Sequence, residues 1–248
     1  MRLSKSWIIA SKDFAIFRKK RNILYSILIV PFLVSVLFPA VILFAGHRNG
    51  GTGVPAAQLP VLLPSFAFFY LILAGFLPTS IASYSIVGEK VEKCLEPLLA
   101  TPTTDGEILL GKGISAFLPP IAAILSGSAV FMFLMDLVTR GTLGYDFFPN
   151  WSAGTVLFLL VPLATVMGVE WNVIISSRVS DVRVAMQLGA LLVLPLGGIY
   201  VGGELKLIPL GDTSILLIIA GILLVVDLLL LYVAKATFRR EEILTKWK

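Results

Sequence analysis

The segment Gly106-Glu107-Ile108-Leu109-Leu110-Gly111-Lys112 has the G-x-x-x-x-G-K spacing in which backbone amides and a lysine cradle nucleotide phosphates. The next residue is Gly113, where a magnesium-holding Ser or Thr would be needed, and no strand precedes the segment. The chain also lacks a soluble stretch long enough for a nucleotide-binding domain. The spacing is therefore rejected as a phosphate site, and any ATP used would be bound by another subunit. Two other acids stand out. Glu170 and Asp227 lie inside apolar runs, where a bare charge costs at least about 2.5–3.5 kcal/mol. No Lys or Arg sits in the middle of a span to pair with them. They are expected to be neutral, hydrogen-bonded inside a helix bundle, or facing a polar cavity. Functionally they fit a substrate path or a proton-coupling site; structurally they fit polar glue between helices or subunits. One Cys and one His allow neither a disulfide framework nor a Cys/His metal site within the chain. With no acid cluster either, a membrane enzyme has the least support. The chain is expected to be non-catalytic and to hold no metal or cofactor.

The elements that carry these residues are membrane helices. The chain has 248 residues, 57% hydrophobic and 14% charged, which is wrong for a soluble domain and right for a multi-span protein. Apolar runs predict six spans: 23–45, 59–87, 114–138, 153–177, 184–201 and 213–234. The second is longer than a membrane needs and is expected to tilt or project. Pro119-Pro120 predicts a break near the start of the third. The fifth is interrupted by Pro195 and Gly197-Gly198, and the region through Asp212 has two readings. It is either one complete span with an outer loop, or a span leading into a short re-entrant element. Gly198 and Gly202 form a G-x-x-x-G pair, read as the turn of this broken segment in preference to a helix contact. The sequon Asn150-Trp151-Ser152 is given no role.

Residues 1–22 are basic and amphipathic, with Leu3, Trp7, Ala10, Phe14 and Phe17 on one stripe, as in a helix lying at the interface. All of the 20 Lys and Arg residues except Arg48, Arg140 and Lys206 fall on the side that holds both termini. That asymmetry predicts cytoplasmic N- and C-termini. The net charge of +5 thus sits at membrane edges and suits anionic lipid, not nucleic acid.

The same asymmetry places residues 88–112 in the cytosol. Val87, Val91, Leu95, Leu98 and Leu99 repeat at helical spacing, so a short amphipathic helix is expected there. Pro97 bends it and Thr101-Pro102-Thr103 ends it. Thr104 with Glu107 is a capping-box pattern that opens the next helix.

Glu89-Lys90, Leu95-Glu96-x-Leu98-Leu99-x-Thr101-Pro102 and Glu107 to Lys112 resemble the signature loop of ABC-2 type permeases. Lys12-Asp13-Phe14 through Arg21 resembles the N-terminal elbow helix of that family. Cys94, where the family usually has Thr, and Lys93, where it has Gly or a basic residue, depart from the pattern. The resemblance covers most of the chain and implies one all-α transmembrane domain, 1–248. It would have six spans, an elbow helix over 1–22, and a coupling helix in the cytosolic loop 88–112. It favours the re-entrant reading after the fifth span.

It further implies the permease subunit of an ATP-driven exporter in a cell membrane, with a prokaryotic source. ATP and magnesium would be on a separate ATPase subunit, and a second or related permease would complete a dimer. The residues implied to meet the ATPase are Glu89, Glu92, Glu96, Leu98, Leu99, Thr101, Pro102, Thr103, Asp105 and Glu107. The alternative function is an ATPase-independent channel or proton-coupled carrier using Asp227 and Glu170. No internal repeat of the kind common in such carriers is evident.

Overall fold

The computed structural model describes residues 3–19, 21–48, 55, 58–91 and 103–237. Among them the chain is all helix, with no strand. An amphipathic helix, α1 (Leu3–Lys19), precedes α2 (Arg21–Arg48) and α3 (Leu59–Ser83). The end of α3 widens into one π-helical turn, Tyr84–Gly88, and continues through Glu89–Val91. The chain resumes with the 39-residue α4 (Asp105–Leu143). Next come α5 (Trp151–Arg178), α6 (Val182–Ala190), α7 (Val193–Glu204) and α8 (Thr213–Thr237).

Six helical stretches are long and apolar enough to cross a membrane: α2, α3, α4, α5, α6 with α7, and α8. The bundle is organised around α3 and α5, whose apolar windows are 67% and 61% buried, against 33% or less for the other four. The core reflects that arrangement. Leu63, Phe68, Tyr70 and Leu71 of α3 pack with Leu160, Val161 and Ala164 of α5. At Gly168 the two backbones come so close that a Cβ would lie 2.6 Å from the Gly75 carbonyl oxygen.

The prolines act through hydrogen-bond arithmetic. Pro119 and Pro120 do not break the third span: α4 runs through them without interruption. Each lacks an N–H, so the carbonyls of Ser115 and Ala116 lose their helical partners. Close packing against α1 below this point and α2 above it holds the helix together. In the fifth span the break falls at Leu191-Leu192, where bonds of the i→i−3 type take over, such as Leu192 N to Gly189 O at 3.2 Å. Pro195 then sits in the first turn of α7, where a missing N–H costs nothing. Beyond α7 the chain makes a tight turn. Leu207 and Ile208 both donate to the Gly202 carbonyl, and Leu210 is buried against Gly203. Gly202 thus serves the turn, and Gly198 faces open space.

Two polar residues shape the opposite end. Asn150, the asparagine of the sequon, caps α5 by accepting from Ala153 N at 2.8 Å. Asp136, near the end of α4, holds the next loop by accepting from Phe147 N and Phe148 N at 2.9 and 3.0 Å.

Candidate functional site

At the end of the bundle where α1 lies, three elements meet: α1, the π turn that ends α3, and the first turns of α4. The start of α4 is fixed by the capping box read from the sequence. Glu107 N donates to Thr104 Oγ1 at 3.3 Å, and Thr104 N donates to Glu107 Oε2 at 3.0 Å. The G-x-x-x-x-G-K segment is helical, so its amides bond within the helix and cannot cradle a phosphate. Gly111 is where α1 crosses. A Cβ there would lie 2.7 Å from the Ser6 carbonyl oxygen and 2.8 Å from Ile9 Cβ.

The face of α1 that packs on the rest of the chain shares only Ala10 and Phe17 with the apolar stripe assigned to the membrane interface. Ser6, Ile9, Ala10, Asp13 and Phe17 point inward at helical spacing, and Trp7 is 55% exposed. Asp13 faces inward because its partners lie there. Its Oδ2 accepts from Ser85 Oγ at 2.7 Å and from Ser115 Oγ at 3.0 Å. Lys112 is 3% exposed and donates to Ser85 O and Glu89 Oε2, each at 2.6 Å. The second carboxylate oxygen of Glu89 accepts from Lys12 Nζ at 2.8 Å. Among the described residues, two lysines and two acids form a charge-balanced network that joins α1 to both stems of the 88–112 loop. Removing one partner of such a pair strands the other without water and costs about 3–5 kcal/mol.

This network places two of the loop acids. Glu89 is 6% exposed and Glu107 4% exposed, and both are committed to partners inside the chain. Thr103 and Asp105 are half-buried at the mouth of α4. Glu92, Glu96, Leu98, Leu99, Thr101 and Pro102 lie outside the described residues. Sequence reasoning missed Lys12, Asp13, Ser85, Lys112 and Ser115 as one group. The available signal was Asp13 on the inward face of a basic helix, together with the lysine of the rejected phosphate loop.

Two further polar groups tie the spans together. Asn172, fully buried on α5, accepts through Oδ1 from Ser83 Oγ at 3.0 Å and Ser176 Oγ at 2.9 Å. Farther along, Ser35 Oγ lies 2.6 Å from Gly127 O, 2.7 Å from Tyr70 OH and 2.7 Å from Pro31 O. That knot joins α2, α3 and α4, and a Cβ on Gly127 would lie 2.8 Å from Pro31 Cβ.

Glu170 and Asp227 are different. Both are buried, at 7% and 6% exposure. Among the described residues, Glu170 Oε2 and both carboxylate oxygens of Asp227 have no hydrogen-bond partner. The reading of these acids as hydrogen-bonded glue is not what the geometry gives for those three atoms. Lys235 lies in the last turn of α8, the helix that also carries Asp227. Glu170 and Lys235 line a cavity of about 450 Å³ between α4, α5 and α8.

A family model described as ABC-2 family transporter protein matches residues 7–207. The match spans α1, the polar network and every span except α8. No curated protein matches the chain.

Proposed function

Because the chain belongs to the ABC-2 transporter family, a family of ABC-transporter membrane components, we propose that it is the permease subunit of an ATP-driven exporter. A separate ATPase subunit docks on the face formed by residues 88–112, and a second permease, identical or related, completes the translocation path. ATP and magnesium belong to the ATPase. The chain sits in the cell membrane of a prokaryote with both termini in the cytoplasm, and α1 lies as an elbow against anionic lipid. The turn after α7 dips back toward the bilayer as a re-entrant element.

The observation that carries the coupling step is the neutral network of Lys12, Asp13, Ser85, Glu89, Lys112 and Ser115. It fastens the elbow to both stems of the loop, so a push on the loop moves α1, α3 and α4 together. ATP binding then biases a two-state bundle through contacts that differ between its states. Within the loop, Leu98 and Leu99 offer an apolar anchor, and Glu92, Glu96 and Asp105 offer charge. Thr101, Pro102 and Thr103 shape the turn between them. Glu89 and Glu107 act from behind, by holding the stems that present these residues.

The test is a pull-down of the tagged chain from its native membrane, beside a variant carrying Leu98→Asp and Leu99→Asp. Co-purification of a cytosolic ATPase with the native chain, and its loss from the variant, is the expected result. If the chain comes down without an ATPase while one is expressed, the reading gives way to an ATPase-independent channel or proton-coupled carrier. The unpartnered acids Glu170 and Asp227 favour that second reading.

A further inference from the structure

The cavity between the first turns of α4, the last third of α5 and the last turns of α8 measures about 450 Å³. Small-molecule sites run from about 300 to 1,000 Å³. Its walls are apolar, with Leu109, Ile114, Phe117, Val169 and Val173 among them. Gly113 borders this open space: a Cβ there would meet only Val169 Cγ1, at 4.0 Å. Glu170 stands in the wall, and among the described residues nothing satisfies its buried Oε2. Lys235 is exposed at the mouth and makes no ion pair with it.

We infer that this cavity binds an amphipathic monocation, its apolar body against the walls and its positive group against the Glu170 carboxylate. An anionic guest would be repelled by the carboxylate, and a neutral one would leave Glu170 to give up its charge. A cation alone favours the ionised carboxylate and pairs with it. Lys235 lines the same cavity and competes with the guest as a tethered cation. The site belongs to one chain and needs no ATPase, so it stands or falls separately from the exporter reading.

The test uses the purified full chain in phosphatidylcholine nanodiscs, with tetraphenylphosphonium as the probe and equilibrium dialysis as the readout. Tetraphenylborate, of the same shape and opposite charge, is the control. The cation should bind saturably and the anion should not. Glu170→Gln should weaken binding at least about tenfold. Gly113→Leu, which fills the cavity without touching the carboxylate, should abolish it. Lys235→Ala should bind as tightly as the native chain or more so. Monodispersity and thermal unfolding of each variant check the fold.

Equal binding of the two probes, or unchanged binding in Glu170→Gln, would reduce the site to an indifferent apolar hole and overturn the proposal. Loss in Lys235→Ala with Glu170→Gln unaffected would make it an anion site and also overturn it. Repeating the titration with phosphatidylethanolamine in the disc separates the sources of the cation. Displacement of the probe identifies a lipid amine as the occupant, and no displacement identifies a soluble cation.

Discussion

Two regions of this bundle bury pairs of acids, and they do so in opposite ways. Where α1 meets α3 and α4, Asp13 and Glu89 accept from two serines and two lysines. On α5 and α8, Glu170 and Asp227 are equally buried, yet three of their four oxygens have no partner among the described residues. Burial alone does not separate the two cases; satisfaction does. A satisfied buried charge fastens elements to one another, because its partners come from different parts of the chain. An unsatisfied one is held by the rest of the fold at a cost, and points to something that arrives from outside. Mutation of the first kind should cost stability, and mutation of the second should cost activity.

The sharpest way to break this contrast is Glu89→Ala. It strands Lys112, and unfolding in detergent should show a loss of about 3–5 kcal/mol. A double-mutant cycle with Lys112→Met should recover a large part of that loss, and additive losses would mean the network is not a unit. Asp13→Asn comes next. Charge-assisted bonds of the kind it loses contribute about 1.5–3 kcal/mol each, so a drop of this order in stability is expected by the same assay. Gly111→Ala ranks third at about 1–3 kcal/mol, because its Cβ meets the backbone of α1, and protease cleavage within α1 should speed up. Asp227→Asn is the counterpart on the other side of the comparison. It removes no hydrogen bond, so the melting temperature should hold or rise while transport falls; a clear loss of stability would erase the distinction. The smallest effect is Thr104→Ala, about 1 kcal/mol from the lost cap, visible as faster amide exchange in the first turn of α4.

Much of the fold is legible in the sequence because long apolar runs and capping residues are local signals. All six spans lie where hydropathy places them, and Thr104 and Glu107 form the box their spacing announces. The differences come from tertiary partners. The apolar stripe on α1 reads as a side facing the membrane and gives no sign that the chain holds Asp13. No count along one helix can reveal serines on two others. Glu89 looks like a surface acid of a loop, and a sequence does not show that Lys112 returns to it. Pro119 and Pro120 predict a broken helix by local chemistry, and packing from both sides overrides it. Glu170 and Asp227 stand out as unusual in the sequence itself, since an acid in an apolar run has no local excuse. The cavity beside Glu170 needs three helices and is not readable from any one of them.

The 39 residues of α4 have a mechanical consequence. At 1.5 Å per residue the helix is about 58 Å long, nearly twice a bilayer's hydrocarbon thickness of about 30 Å. It is gripped twice, by α1 at Gly111 and by α2 at Gly127, about 24 Å apart along the axis. Pro119 and Pro120 fall midway between the grips, where two carbonyls have lost their helical bonds. The helix is thus a lever with a soft joint at its centre. A tilt of about 5° imposed on the Gly111 grip would, in a stiff rod, carry the other grip sideways by about 2 Å. With the joint, the same tilt can be absorbed or passed on according to whether those two turns flex or lock.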